Sequence, residues 1–362
     1  MRALERMRPI VLAAGGTAGH LFPAEALAAE LVSRGCRVVL MTDARSASHV
    51  FEGRERFVIA GTGVAGRGLF GATKSVARLT FGVTQARGIL SRLDAAAVVG
   101  FGGYPAVAPV VAASTLRPRP RVVLHEQNAV LGRANRVLAR FADLLVLSVP
   151  GTTRLPQVAS MVLGNPVRDS IAPTPYASGD ILRLLVLGGS LGARVFSEVV
   201  PAALLALPAS LRTRLHVTQQ CRAEDIERTR AAYAEAGIVA DLAPFFGNVP
   251  ELLNGATLVV ARSGASTVAE LAASGRPAVL VPLPHAIDDH QTANARVLAD
   301  AGAAWVAPQH TLDPQSLASL LERLLHDPAL LHASAVAART VARPNAAADL
   351  ADAVERLLEP VA

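Results

Sequence analysis

The sequence predicts an α/β protein built from two doubly wound, Rossmann-like domains facing a cleft. Three observations carry this. First, short apolar runs rich in β-branched residues alternate with longer helical patterns along all 362 residues. Strands covered on both faces read as unbroken apolar runs, and helices between them imply parallel sheets with right-handed crossovers. Second, a strand running into a glycine turn occurs twice. Gly15-Gly16 is followed by Gly19, and 173 residues after Gly15 the pattern returns as Gly188-Gly189 followed by Gly192. Third, Pro166, Pro173, Pro175 and Gly179 break all periodicity between the halves, as a linker does.

Strands are expected at 10–13, 37–41, 97–99, 122–124 and 144–147. A second series follows at 182–187, 215–218, 258–260, 278–281 and 304–306. The domains are therefore placed at 1–167 and 168–344, with a closing segment 345–362. Its helical pattern, 346–358, is expected to pack back on the N-terminal domain.

Composition removes several function classes. Half the chain is hydrophobic (51%) and only 18% is charged, the reverse of a disordered chain. Cys36 and Cys221 stand far apart without metal-like spacing, which fits a reduced, cytosolic compartment. The apolar run 10–14 is too short for a signal sequence, and no uninterrupted stretch reaches the roughly 18 residues of a membrane span. The formal charge is +6, with Lys74 the sole lysine. A basic balance suits phosphorylated substrates or anionic membranes. Nucleic acid is the weakest match, since aromatic residues make up 4% and few stacking platforms exist.

A glycine turn from strand to helix exposes amides beside a helix N-terminus, a phosphate-binding arrangement. Each turn by itself equally satisfies a steric need. Neither is a dinucleotide fingerprint or a P-loop, because the Gly-x-Gly-x-x-Gly and Gly-Lys-Ser/Thr patterns are missing. With the fingerprint broken, Asp43 after the second strand reads as a surface or capping residue. His20 follows the first turn directly. A helix N-terminus disfavours imidazolium, so the ring there suits a general base.

Residues 262–270 follow an apolar strand. They read either as a capping box with Ser263 or Ser266 at the N-cap, or as a diphosphate loop with Glu270 on a ribose diol. A carboxylate suits a diol because it accepts two hydrogen bonds. His285, Asp288, Asp289 and His290 lie in a polar loop suited to sugar hydroxyls. A metal site is the lesser reading there, because no Asp-x-Asp occurs.

These motifs together resemble the MurG family of glycosyltransferases. The resemblance is carried by Gly15-Gly16-Thr17-Ala18-Gly19-His20 with Phe22-Pro23, Gly102-Gly103-Tyr104, His125-Glu126-Gln127-Asn128 and Gly164-Asn165-Pro166-Val167-Arg168. Gly188-Gly189-Ser190-Leu191-Gly192-Ala193, residues 262–270 and Gln291-Thr292-Ala293-Asn294-Ala295 complete it. It departs at Ala18, where the family commonly has glycine.

The resemblance implies the GT-B fold and inverting transfer of GlcNAc from UDP-GlcNAc to the 4-hydroxyl of MurNAc in lipid I, undecaprenyl-diphosphate-MurNAc-pentapeptide. It assigns acceptor and membrane contact to the N-terminal domain and UDP-GlcNAc to the C-terminal one. It implies no cofactor or metal, and leaves room for other cell-wall synthesis proteins as partners. His20 matches the family's base. Thr17, Ala18, Gly19 and Asn128 match positions near the transferred sugar, and Arg168 and Ser190 match donor-binding positions. Ala265, Ser266, Thr267, Val268, Ala269 and Glu270 match the ribose and diphosphate segment, and Gln291 the GlcNAc contact. Phe246 stands where the family's backbone reads uracil. Other lipid-acceptor GT-B transferases, a UDP-GlcNAc 2-epimerase and a non-catalytic nucleotide-sugar scaffold share this architecture.

A lipid-borne acceptor requires the enzyme to reach a membrane. Segment 72–93 reads as an amphipathic helix with Val76, Leu79, Val83, Ala86, Leu90 and Leu93 in one stripe. Lys74, Arg78, Phe81, Gln85 and Arg92 fall on roughly the opposite side, and Arg67, Leu69 and Phe70 precede it. Leu69, Phe70, Lys74, Arg78 and Phe81 are expected to dock on the anionic cytoplasmic face of the inner membrane.

Overall fold

Burial on both faces of two parallel sheets decides the architecture. The computed structural model describes residues 8–44, 53–60, 69–176, 179–189 and 192–359, without the side chains of Ala18 and of 69–74. The chain divides into two compact units. One takes residues up to Arg168 together with Arg343 onward; the other is Asp169–Ala342.

The first unit contains β1 (Ile10–Ala13), α1 (Ala18–Ser33), β2 (Val38–Thr42), β3 (Arg56–Val58) and α2 (Leu69–Leu93). β4 (Ala97–Gly100), α3 (Val107–Ser114), β5 (Arg121–Glu126), α4 (Arg133–Leu138), β6 (Leu144–Leu147) and β7 (Ser160–Val162) follow. Its sheet has the order β3-β2-β1-β4-β5-β6-β7, parallel throughout. Alternate residues of one strand serve two cores, as the period of two requires. Val11 and Ala13 pack with Ala86 and Leu90 of α2 and Val110 of α3. Ile10 and Leu12 pack on the other face with Leu27 and Leu31 of α1.

The second unit repeats the scheme with β8 (Leu182–Leu187), α5 (Arg194–Leu205), α6 (Ala209–Arg212), β9 (Leu215–Gln220), α7 (Ile226–Glu235) and β10 (Val239–Ala243). It continues with α8 (Val249–Gly255), β11 (Leu258–Ala261), α9 (Ala265–Ser274), β12 (Ala278–Leu280), α10 (His290–Ala299), β13 (Ala304–Val306), α11 (Pro314–Leu325) and α12 (Pro328–Val341). Its sheet order, β10-β9-β8-β11-β12-β13, has the same 3-2-1-4-5-6 winding as the first six strands of unit one.

Three strands carry no expectation from sequence: β3, β7 and β10. All lie at sheet edges, with β3 and β7 largely exposed and β10 only half-buried, so they lack the apolar run that marks a buried strand. α2 begins three residues earlier than expected. Its stripe is also corrected. Val76 is 58% exposed, whereas Gln85 turns inward and accepts a hydrogen bond from the Ala60 amide at 3.0 Å. The apolar stripe is complete only where α2 runs over the sheet.

The closing helix α13 (Ala346–Leu358) returns to unit one. Leu350, Ala351 and Val354 join the core beside α1. Arg34 at the end of α1 bonds to Glu30, Asp352, Glu355 and the Ala348 carbonyl. Leu350→Ala, at a site with no exposure, should cost about 2–5 kcal/mol through lost burial and a residual cavity. Urea unfolding measures it; a loss below about 0.5 kcal/mol would show that α13 contributes little to the unit.

Candidate functional site

In each sheet the crossovers diverge on either side of the first strand, and loops at that switch point leave a crevice. In unit one the switch lies between β1 and β2 on one side and β4 on the other. β1 runs directly into Gly15-Gly16. A Cβ on Gly15 would stand 2.9 Å from both Asp43 Oδ1 and Thr42 Oγ1. That missing side chain lets Asp43 fold inward. Asp43 is only 4% exposed and accepts a hydrogen bond from the Tyr104 hydroxyl. This corrects the surface or capping reading of Asp43: it ties the end of β2 to the loop after β4.

Thr17 is the N-cap of α1, in extended conformation and without a side-chain capping bond. Ala18, Gly19 and His20 form the first turn. The His20 ring lies against Gly102-Gly103, whose φ values of 79° and 65° are accessible to glycine. A Cβ on Gly103 would stand 3.2 Å from His20 Nε2. His20 Nδ1 is 3.1 Å from Gln127 Oε1. The ring therefore sits half-buried at a helix N-terminus, where the dipole opposes a positive charge.

Asn128 is held by Glu126. Glu126 Oε1 accepts from the Asn128 amide and from Asn128 Nδ2, each at 3.0 Å. Its Oε2 accepts from the Gly132 amide at 2.8 Å and Asn135 Nδ2 at 2.9 Å. Arg168, at the end of the unit, lies over the Phe22 ring at 4.4 Å, one turn along α1 from Ala18.

In unit two the matching turn follows β8. The Gly188 amide donates to Gln220 Oε1 at 3.1 Å, and Gln220 Nε2 donates to the Pro244 carbonyl at 3.1 Å. Gln220 thus links the glycine turn to the loop that carries Phe246, which is half-buried. Ser190 lies outside the described residues.

After β11, Arg262 turns into the interior, donating to the Val281 and Pro282 carbonyls and Gln309 and packing over Phe196. Burial lowers its pKa from the ordinary value. The capping-box reading of residues 262–270 is overturned. The N-cap of α9 is Gly264, with no side-chain capping bond, because Ser263 Oγ donates to the Gln291 carbonyl at 2.8 Å. A helix N-terminus of this kind carries the positive end of the helix dipole. Ala265, Ser266, Thr267 and Ala269 are half-buried. Val268 is buried, so that residue offers backbone only. Glu270 is nearly buried, on the second turn.

Gln291 opens α10. Its Oε1 accepts from the Leu283 amide at 2.9 Å, leaving the NH₂ end as the group it can offer a sugar hydroxyl. Asp288 and Asp289 precede it at φ 56° and 53°. Consecutive left-handed non-glycine residues are costly and concentrate at functional loops. Among the described residues no three His, Cys, Asp or Glu side chains converge in a metal-binding group.

The structure thus gathers Thr17, His20 and Gly19 at one switch point, and residues 265–270 with Gln291 at the other. Glu126, Gln127 and Tyr104 entered the sequence reading only as motif letters; for Glu126 and Gln127 the available signal was polarity at the end of an otherwise apolar strand, and for Tyr104 the glycine pair before it. Gln220 was missed, being one amide in an ordinary strand. Glu126→Gln keeps the shape but places an NH₂ against donors. It should destabilise the protein by about 1–3 kcal/mol, read from urea unfolding, and an unchanged midpoint would remove Glu126 as the organiser of the 128–135 loop.

Comparison with known proteins matches both units to one glycosyltransferase family. Residues 10–146 match the glycosyltransferase family 28 N-terminal domain, and residues 183–356 its C-terminal domain. A protein of Granulibacter bethesdensis is 54% identical, over 99% of this chain and 96% of its own. One of Acidiphilium cryptum is 56% identical, over 96% of each. Both are named UDP-N-acetylglucosamine--N-acetylmuramyl-(pentapeptide) pyrophosphoryl-undecaprenol N-acetylglucosamine transferase. The crystal structure of Acinetobacter baumannii MurG superposes with a TM-score of 0.78 at 32% identity, covering 96% of this chain and 99% of that one. With both domain models matched and relatives above 50% identical along almost its whole length, the chain belongs to the MurG family of glycosyltransferases.

Proposed function

We propose that the chain transfers GlcNAc from UDP-GlcNAc, with inversion, to the 4-hydroxyl of MurNAc in undecaprenyl-diphosphate-MurNAc-pentapeptide, making lipid II for peptidoglycan. The observation that carries this is the 54–56% identity, over nearly full length, to transferases named for that donor and acceptor. His20 takes the proton of the 4-hydroxyl as its oxygen attacks C1. The C1–O bond to UDP breaks on the opposite face, and its electron pair leaves with the diphosphate. Single displacement needs one base and no covalent intermediate. The N-terminus of α9 suits the growing diphosphate charge. Glu270 suits the ribose diol, Gln291 the GlcNAc, and the 244–248 loop with Phe246 the uracil. Unit one then serves the acceptor and unit two the donor. Transfer of labelled GlcNAc to a lipid I analogue, with diacylglycerol as control acceptor, tests the reaction; label in diacylglycerol alone would replace the acceptor.

His20→Ala should lower kcat by about 10²–10⁴-fold while UDP still binds. Steady-state rates equal to the native chain would remove it as the base. Glu270→Ala should instead raise the donor KM and weaken UDP itself, by about 1–3 kcal/mol, because ribose bonds exist in ground and transition states alike. Equal UDP affinity by calorimetry would leave Glu270 a role in α9 only.

The acceptor's lipid tail stays in the bilayer, and no helix among the described residues is long and apolar enough to cross one. We therefore assign peripheral docking, on the cytoplasmic face of the inner membrane, to the start of α2. Phe81 is 58% exposed there, and Arg78 is exposed beside it. Leu69, Phe70 and Lys74 lie on the first two turns of the same helix, N-terminal to them. Anionic lipid attracts each basic residue by about 1 kcal/mol. Replacing Leu69, Phe70 and Phe81 by Ser, and Lys74 and Arg78 by Glu, should reduce co-sedimentation with anionic vesicles and leave UDP affinity intact. Unchanged co-sedimentation would move the docking surface elsewhere.

A further inference from the structure

We propose that Gln127 is a positioning residue that locks the tautomer of His20, keeping the ring proton on Nδ1 and presenting Nε2 as the base. The inference rests on the base reading of His20 and deepens it. A backbone carbonyl fixes the polarity at each end of the chain behind His20. Gln127 Nε2 lies 3.0 Å from the Phe101 carbonyl oxygen. A carbonyl only accepts, so the Gln127 amide has one permitted orientation, with Oε1 toward His20. Oε1 carries no hydrogen, and it sits 3.1 Å from His20 Nδ1. Nδ1 must therefore donate, and in the neutral ring Nε2 holds the basic lone pair.

The chain continues behind Gln127. Its Nε2 is also 3.0 Å from His125 Nδ1, and His125 Nε2 is 3.0 Å from the Gly164 carbonyl. The same reasoning puts the His125 hydrogen on Nε2 and makes its Nδ1 an acceptor for the second Gln127 hydrogen. From Gly164 through His125 and Gln127 to His20, every donor meets an acceptor. His125 has no exposure, and burial pushes its pKa down to about 4. Above that pH it stays neutral and its Nδ1 stays an acceptor. Asn135 Nδ2 fixes the His125 backbone carbonyl at 3.1 Å. A neutral amide at position 127 orients the imidazole without adding the negative charge that would favour imidazolium.

The test is the tautomer itself. Long-range ¹H–¹⁵N spectra of the full chain with labelled histidine should show His20 as the Nδ1–H form. In Gln127→Leu, similar in size but without acceptor or donor, the Nε2–H form should appear. kcat should fall about 10–10²-fold, short of the loss on removing a base, with KM for UDP-GlcNAc unchanged. An Nε2–H ring in the native chain overturns the proposal, and that spectrum needs no variant to fold. Unchanged kcat in a folded Gln127→Leu chain, or a change in KM alone, overturns the positioning role. His20→Ala measured alongside separates the two ideas. If it retains full kcat while the native ring is Nδ1–H, the base reading fails and the hydrogen-bond chain survives as structure.

Discussion

A parallel sheet must be covered on both faces, and the rest of this protein depends on that constraint. Parallel strands need long crossovers, and helices in those crossovers supply the cover. β1 shows how literally it is met: Val11 and Ala13 enter one core, Ile10 and Leu12 the other. Covering both faces requires crossovers to leave the first strand in both directions. The 3-2-1-4-5-6 winding in each unit is the result, and so is a crevice at each switch point. The glycine turns stand there because β1 and β8 must each turn sharply into a helix beside a neighbouring loop. Cover on one face of unit one is incomplete without α13, which explains why the chain returns to it after finishing unit two.

Loops at a crevice cannot satisfy their polar groups through a sheet ladder, so buried side chains do it. In unit one, Glu126 holds four donors, and Gln127 joins the Phe101 carbonyl, His125 and His20. Asp43 and Tyr104 close the opposite wall. In unit two, Gln220 takes the Gly188 amide, Ser263 takes the Gln291 carbonyl, and Gln291 takes the Leu283 amide. Most of these groups are neutral amides and hydroxyls. They orient neighbours without adding charge to the positive field of the nearby helix N-termini. The same N-terminal field at α1 works against a charged His20.

Much of the fold was legible because its core strands announce themselves. Uniform apolar runs marked ten strands, and their only errors were end shifts such as β5 reaching Glu126. The edge strands β3, β7 and β10 were not legible, since an exposed edge needs no apolar run. Site legibility followed a similar division. Gly15-Gly16, His20 and Glu270 stood out because glycine pairs and isolated polar residues after apolar strands are locally unusual. Asp43, by contrast, was misjudged as exposed, because what buries it is the missing Cβ of Gly15 and the hydroxyl of Tyr104, 28 and 61 residues away.

The sequence by itself determined the class of fold, the twofold repeat and the family. Each of these is written in local pattern: hydrophobic period, turn chemistry and motif order. Only the tertiary structure decided how polar atoms pair. Whether Ser263 caps a helix or bonds Gln291, whether Gln85 faces out or meets Ala60, and which nitrogen of His20 bears a proton all depend on partners 25–107 residues distant. Hydrogen bonds act over about 3 Å, and sequence spacing cannot say which distant atom arrives there until the sheets have wound.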